Sequence, residues 1–290
     1  MKTLLALINS PVNSETFIRY AAEMAADMGY GLQLIYVLNP AAYTLTTGTA
    51  AATSHPAGTE IDVARIEEEH RIALRTIREK LEKVPEEISS RISADVDTET
   101  GALDIVVNKY VEDNKADMLL VENRHEEGFW VLDTNTQLIM DANCPALLIP
   151  HGANYQQPRK IVYATDYNQR DAESIKKLIA FTDSFSPDIT ALHIIDSDDQ
   201  KEQEKLTEFR ENIAAGTNYN KIEVESLTDE NDKGLAENLN DYAINAGAQL
   251  IVLLKANRTF FERIFKSSTT KKVIKKARLP LLIYHEKEFE

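Results

Sequence analysis

Two carboxylate–histidine runs and one thiol are the most reactive side chains in this sequence. His125 with Glu126 and Glu127 could act as an acid/base cluster or hold a metal ion. No HExxH spacing or second ligand pair accompanies it, and adjacent residues on a turn seldom converge on one ion, so solvated loop charges are the preferred reading. Glu67, Glu68, Glu69 and His70 fall inside a helical pattern. Consecutive carboxylates point in different directions around a helix, which makes a solvated face the better account. Cys144 is the only cysteine, which excludes an intrachain disulfide and fits a reducing compartment. It stands just before an apolar run and reads as a buried structural thiol. There is no nucleophile elbow, Walker loop or cysteine–histidine pair. Neither a catalytic residue nor a metal site is expected.

Charge narrows the partners. Lys271, Lys272, Lys275, Lys276 and Arg278 could meet phosphates, yet cations late in a helix simply complement its dipole. The whole chain carries 47 acidic against 32 basic residues, a net charge of -15. That field repels phosphate backbones and anionic lipid heads, so neither nucleic acid nor a membrane is expected as a partner. Phe260, Phe261 and Phe265, and Trp130 beside Phe129, exceed what one helix face buries easily; part of this aromatic group could line a groove or partner surface. The apolar run at residues 4–8 is too short for a signal-peptide core or a membrane span, which with the lone cysteine predicts a cytoplasmic protein.

The elements that must carry these residues are legible from periodicity. Residues 3–8 form a continuous apolar run, as expected for a strand covered on both faces. Ser14 is placed to cap a helix over 15–28, with Phe17, Ala21, Met24 and Met28 on one face and Gly29 as the stop. A strand over 32–38 completes a parallel crossover. Residues 39–59, rich in Ala, Thr, Gly, Ser and Pro, read as a long mobile loop. A charged helix over 60–84 follows, with Ile66, Ala73, Ile77, Leu81 and Val84 as its buried stripe. Strands over 91–97, 118–121 and 146–149, and a helix over 103–114, complete a doubly wound α/β unit.

The same order then recurs. Strands fall at 160–165, 188–195, 221–227 and 250–254, alternating with helices at 170–185, 201–214 and 234–246. Residues 117–151 (DMLLVENRHEEGFWVLDTNTQLIMDANCPALLIPH) and 249–285 (QLIVLLKANRTFFERIFKSSTTKKVIKKARLPLLIYH) both close on proline, LLI, one residue and histidine. The chain is one fold written twice: a first domain over 1–151, a linker over 152–158 and a second domain over 159–290.

The second half carries KIVYATD at 160–166, ITALHIID at 189–196 and ANRTFFERIFKSSTTKKVIKKARLPLLI at 256–283. In these segments the chain resembles the universal stress protein family in its tandem form. The resemblance implies two five-stranded doubly wound parallel-sheet domains that pair through their last strands, 146–149 against 281–284, as an internal pseudo-dimer. Some members of the family bind ATP through Gly, two residues, Gly, nine residues, Gly, then Ser or Thr; glycines admit the phosphates to the backbone and a hydroxyl helps hold them. Here Leu254, Asn257 and Ser267 replace the three glycines and Ser268 keeps the hydroxyl, with Thr269 next to it. In the first half Glu122, His125 and Asn135 take those positions, with Thr136 as the hydroxyl, and Ile8 replaces an aspartate that the second half keeps as Asp166.

The resemblance thus implies a vestigial nucleotide pocket of Thr165, Asp166, Ile194, Asn257, Ser268 and Thr269. The expectation is a non-enzymatic stress-response protein that binds a protein partner or a small ligand, without a resident cofactor. An adenine-nucleotide regulator holding ATP or AMP in the second domain is the alternative, and slow ATP hydrolysis a third reading. Further homodimerisation stays open.

Overall fold

The structure is a computed structural model that describes residues 1–40, 44–47, 58–113, 116–123, 138–139, 141–195, 200–229, 235–255 and 279–285. The chain divides into two compact units, Met1–Asp117 and Met118–Glu290.

In the first unit, β1 (Thr3–Leu7) pairs in parallel with β2 (Gly31–Leu38). The connecting helix α1 (Glu15–Met28) buries Phe17, Ile18, Ala21, Ala22, Met24 and Ala25 against this sheet, as its apolar spacing dictates. The expected side-chain cap at Ser14 is absent: its hydroxyl instead donates to the Pro11 carbonyl at 2.9 Å, stabilising the preceding turn. Gly29 ends the helix at φ 66°, with its N–H bonded to the Ala25 carbonyl. A Cβ at Gly29 would meet no atom within 4 Å, so a Gly29→Ala variant is strained only through its backbone. Its expected cost is about 1 kcal/mol, measurable as a shift in the urea-unfolding midpoint.

The segment expected to be a loop over 39–59 contains two strands, β3 (Thr44–Thr47) and β4 (Gly58–Ile61), paired antiparallel with Thr44 opposite Ile61. The threonines of β3 favour extended backbone, a signal masked by the surrounding small residues. Glu60 and Ile61 therefore belong to a strand, and helix α2 begins later, at Val63–Leu81. Its cap is Asp62, whose side chain accepts from the Arg65 N–H at 3.0 Å. Ile66, Ala73, Ile77 and Val84 are buried as expected. A four-residue helix α3 (Glu86–Ser89) precedes β5 (Ala94–Thr100), which pairs in parallel with β2, and α4 (Leu103–Glu112) follows.

The second unit opens with β6 (Met118–Asn123) and β7 (Ala146–Pro150), paired in parallel. Next come β8 (Lys160–Ala164), α5 (Asp171–Thr182), β9 (Asp188–Ile195), α6 (Gln200–Thr217), β10 (Ile222–Thr228), α7 (Leu235–Asn245), β11 (Leu250–Lys255) and β12 (Leu281–His285). The strands lie in the order β10-β9-β8-β11-β12-β7-β6. All neighbours are parallel except β12 and β7, which run antiparallel with Leu281 opposite Leu148, Leu282 opposite Leu147 and Ile283 opposite Ala146. The five strands of the second half thus follow the doubly wound 3-2-1-4-5 order, and their last strand zips onto the last strand of the first half.

Candidate functional site

A buried carboxylate ties the end of β8 to the start of α5. Strand alternation puts Tyr163 and Thr165 on one face of β8, the face that α5 covers. Asp171, the first residue of α5, lies beneath them and is 1% exposed. Its carboxylate accepts from the Tyr163 hydroxyl at 2.7 Å, the Thr165 hydroxyl at 2.5 Å and the Asn168 N–H at 3.0 Å. Asn168 in turn accepts from the Arg170 N–H at 2.8 Å, so the turn is tied from both ends in the manner of a capping box. Burial raises the Asp171 carboxyl to about 7, against the lowering effect of the hydroxyls.

This knot fixes the loop above it. Thr165 Oγ1 accepts from the Tyr167 N–H at 2.8 Å, and Tyr167 is held at φ 61°, a left-handed conformation unusual for a bulky residue. There its ring lies over His193 of β9, centroids 4.1 Å apart and planes 30° apart, and meets Phe209 of α6 at 5.2 Å. His193 Nδ1 donates to the Thr165 carbonyl at 2.7 Å; a carbonyl can only accept, so the neutral ring carries its proton on Nδ1. Burial lowers the His193 pKa and keeps the ring neutral near pH 7.

The three rings border a cleft of about 680 Å³. Its floor is the loop from Asp166 to Gln169, and its wall is an i, i+3, i+4, i+7 stripe of α6: Lys205, Glu208, Phe209 and Asn212. The Tyr167 hydroxyl is shielded from solvent without a hydrogen-bond partner, and burial raises its pKa to about 12. Such an orphaned hydroxyl is costly unless something bound supplies the partner. A mixed cleft of this size, aromatic on one side and polar on the other, has the character of a small-molecule site.

Of the residues expected to form a nucleotide pocket, Asp166 borders the cleft. Thr165 is buried below it and serves through its hydroxyl and carbonyl. Ile194 is buried, and as the neighbour of His193 in an extended strand it projects to the opposite face. Asn257, Ser268 and Thr269 lie outside the described residues, as do His125, Trp130, Phe260 and the lysine cluster at 271–276. Tyr167, His193, Asp171 and the α6 stripe are the site residues that sequence reasoning did not assemble. The stripe had a readable signal in its helical spacing, and Asp171 in its position six residues past Thr165.

Glu122, at the first of the expected glycine positions, is buried at the end of β6 with Oε1 2.8 Å from His151 Nδ1; His125, Asn135 and Thr136, at the other expected positions, lie outside the described residues. In the second half Leu254 fills the corresponding position with a buried side chain. Elsewhere Glu68 pairs with Arg71 at 2.6 Å and His70 bonds Thr100 Oγ1 at 2.7 Å. Among the described residues no three potential ligands converge on a metal position, and no helix is long and apolar enough to cross a membrane. Cys144 is buried and forms no disulfide.

Comparison with known proteins agrees with this architecture. The sequence profile of the Universal stress protein family matches residues 1–150 and again 158–285. No curated protein matches the chain. Among solved structures, a universal stress protein from Archaeoglobus fulgidus DSM 4304 shares 16% identity and a TM-score of 0.65, covering 98% of this chain and 96% of that one. A putative universal stress protein from Pseudomonas aeruginosa UCBPP-PA14 shares 13% identity with a TM-score of 0.54, over 98% of this chain and 93% of that one. A shorter universal stress protein from Archaeoglobus fulgidus, solved in complex with dAMP, shares 16% identity over 52% of this chain and 96% of its own, with a TM-score of 0.30.

Proposed function

Because the chain belongs to the universal stress protein family, we propose that it serves in stress response as a non-enzymatic binding protein, whose second half takes up a small ligand in the α5–α6 cleft. The single observation that carries this reading is the cleft itself: about 680 Å³ in volume, bounded by a loop that Asp171 locks and by the Tyr167, His193 and Phe209 rings. A binding protein needs a preformed site, and a left-handed tyrosine stacked on a neutral histidine is preformed at an energetic cost that bare folding does not require. The second reading, an adenine-nucleotide regulator, is favoured by Asp166 at the cleft border, a carboxylate able to hold ribose hydroxyls.

Mass spectrometry of the small molecules released when freshly purified protein is denatured separates the two. The expected result is a bound species that is not an adenine nucleotide. Near-stoichiometric AMP or ATP would overturn the proposal and establish the second reading.

A further inference from the structure

The buried latch under the Tyr167 loop has a proton-dependent rearrangement built into it, whatever the cleft binds. We propose that Ser174 makes the Asp171 latch tolerant of protonation: the carboxyl takes its proton on Oδ1, the Tyr163 hydroxyl turns from Asp171 to Ser174, and Oδ2 goes on holding the loop.

The first observation is a division of labour between the two carboxylate oxygens. Oδ2 accepts from the Thr165 hydroxyl and the Asn168 N–H, the bonds that tie down the loop, whereas Oδ1 accepts from the Tyr163 hydroxyl. A backbone N–H cannot become an acceptor, and the Thr165 oxygen already accepts from the Tyr167 N–H. A proton on Oδ2 would therefore break a loop bond or leave the Thr165 hydroxyl to aim its own proton elsewhere. Oδ1 faces a phenol hydroxyl, which accepts as readily as it donates.

The second observation is an unused acceptor in the right place. Ser174 stands three residues after Asp171 on α5, so the two side chains share the helix face that covers Tyr163. It is 0% exposed, and its hydroxyl has no hydrogen-bond partner. Burial and the Asp171 charge raise the Tyr163 pKa; the Ser174 hydroxyl acts the other way, which puts it beside the phenol. A buried hydroxyl without a partner costs free energy that a bond from Tyr163 recovers. On protonation, one proton from solvent forms an O–H bond at Oδ1. That O–H donates to the Tyr163 oxygen, the Tyr163 O–H donates to Ser174 Oγ, and each of these buried groups has a partner.

The surrounding ionisable groups leave this exchange to Asp171. Asp166 of the loop adds to burial in favouring the neutral carboxyl, and Tyr284 of β12 acts on Tyr163 in the same sense as Asp171 does. Tyr163 keeps its proton at neutral pH because its pKa is raised. His193 of β9 is bonded to the Thr165 carbonyl, and α6 turns Lys205 and Glu208 to the cleft. On α5 itself Arg170 and Glu173 flank Asp171, Glu173 being exposed.

Carbon-13 NMR titration of the Asp171 carboxyl in the full chain, assigned by its absence in Asp171→Asn, tests the proposal. The parent carboxyl is expected to titrate at about 7. In Ser174→Ala the protonated form loses its relay while the ionised form loses only an unpartnered hydroxyl, so proton affinity should fall about tenfold. A raised folded-state pKa stabilises at low pH, so the urea-unfolding midpoint of Ser174→Ala should lie below the parent's at pH 5 and at or above it at pH 8. In a Tyr163→Phe background, Ser174→Ala should leave the titration unmoved. Hydrogen-exchange protection of the Tyr167 N–H should be equal at the two pH values in the parent and fall at the lower one in Ser174→Ala. An unchanged titration in Ser174→Ala, an equal midpoint shift at both pH values, or an effect that persists without the Tyr163 hydroxyl overturns the relay. Protection of the Tyr167 N–H that is lost at pH 5 in the parent overturns the tolerance of the latch.

Discussion

An Asp171→Ala variant is expected to lose on the order of 3 kcal/mol of stability, because it orphans buried donors rather than merely leaving a small void. The Tyr163 hydroxyl is fully buried and Thr165 nearly so, and both donate to the Asp171 carboxylate together with the Asn168 N–H. Each buried donor left without an acceptor costs about 1–3 kcal/mol, partly offset by removal of a carboxyl that is itself poorly solvated. Chemical denaturation monitored by circular dichroism measures the loss. The variant is also expected to release the Tyr167 loop, seen as a loss of ligand affinity beyond the stability effect.

The same carboxyl imposes a pH dependence of definite sign. Its folded-state pKa of about 7 stands above the ordinary carboxylate value of 3.8, because burial outweighs the three hydrogen bonds. Folding therefore takes up a proton at intermediate pH. Stability contributed by this group is greatest below the ordinary carboxylate range, falls as pH rises towards 7, and is level above it. Asp171→Asn keeps the shape and removes the titration. Relative to the Asn variant, the parent chain is expected to lose on the order of 2 kcal/mol between pH 5 and pH 8. A difference between the two that stays constant over this range would sink the assignment.

The second large effect is expected at the strand seam. Leu282 lies at the middle of the β12–β7 pairing opposite Leu147, with 0% exposure. Leu282→Asp places a charge in that interior with no cation facing it in the register, and more than about 4 kcal/mol should be lost, enough to unfold a marginal chain. Leu282→Met preserves volume and should cost less than about 1.5 kcal/mol. Urea unfolding of the pair, with limited proteolysis to locate the opened region, distinguishes a central seam from a peripheral strand; nearly equal midpoints would contradict the pairing.

Much of this architecture was legible in residues close together in sequence. The apolar run at 3–8, the 3.6-residue stripe through Phe17, Ala21 and Met24, and the stop at Gly29 define strand, helix and termination within one stretch. The repeated proline–LLI ending marked 146–149 and 281–284 as equivalent, and the family resemblance supplied their pairing, now seen as β7 against β12. The β3–β4 pair escaped notice because its strands are short and separated by small residues whose composition speaks for a loop. Asp166 stood out because a strand-end carboxylate is a local signal. Tyr167 and His193 did not, since an aromatic after a turn and a histidine in a strand each have ordinary structural explanations.

The sequence by itself determined the succession of strands and helices and their doubling, because side-chain period, capping and breaking act over a few residues. Only the tertiary structure decided that Tyr163, Thr165 and Asp171 form one buried knot, and that Tyr167, His193 and Phe209 share a cleft. Those three rings are far apart along the chain, and they converge only when β8 pairs with β9 and α6 packs back across α5. The site follows from strand register and helix docking, which no local pattern encodes.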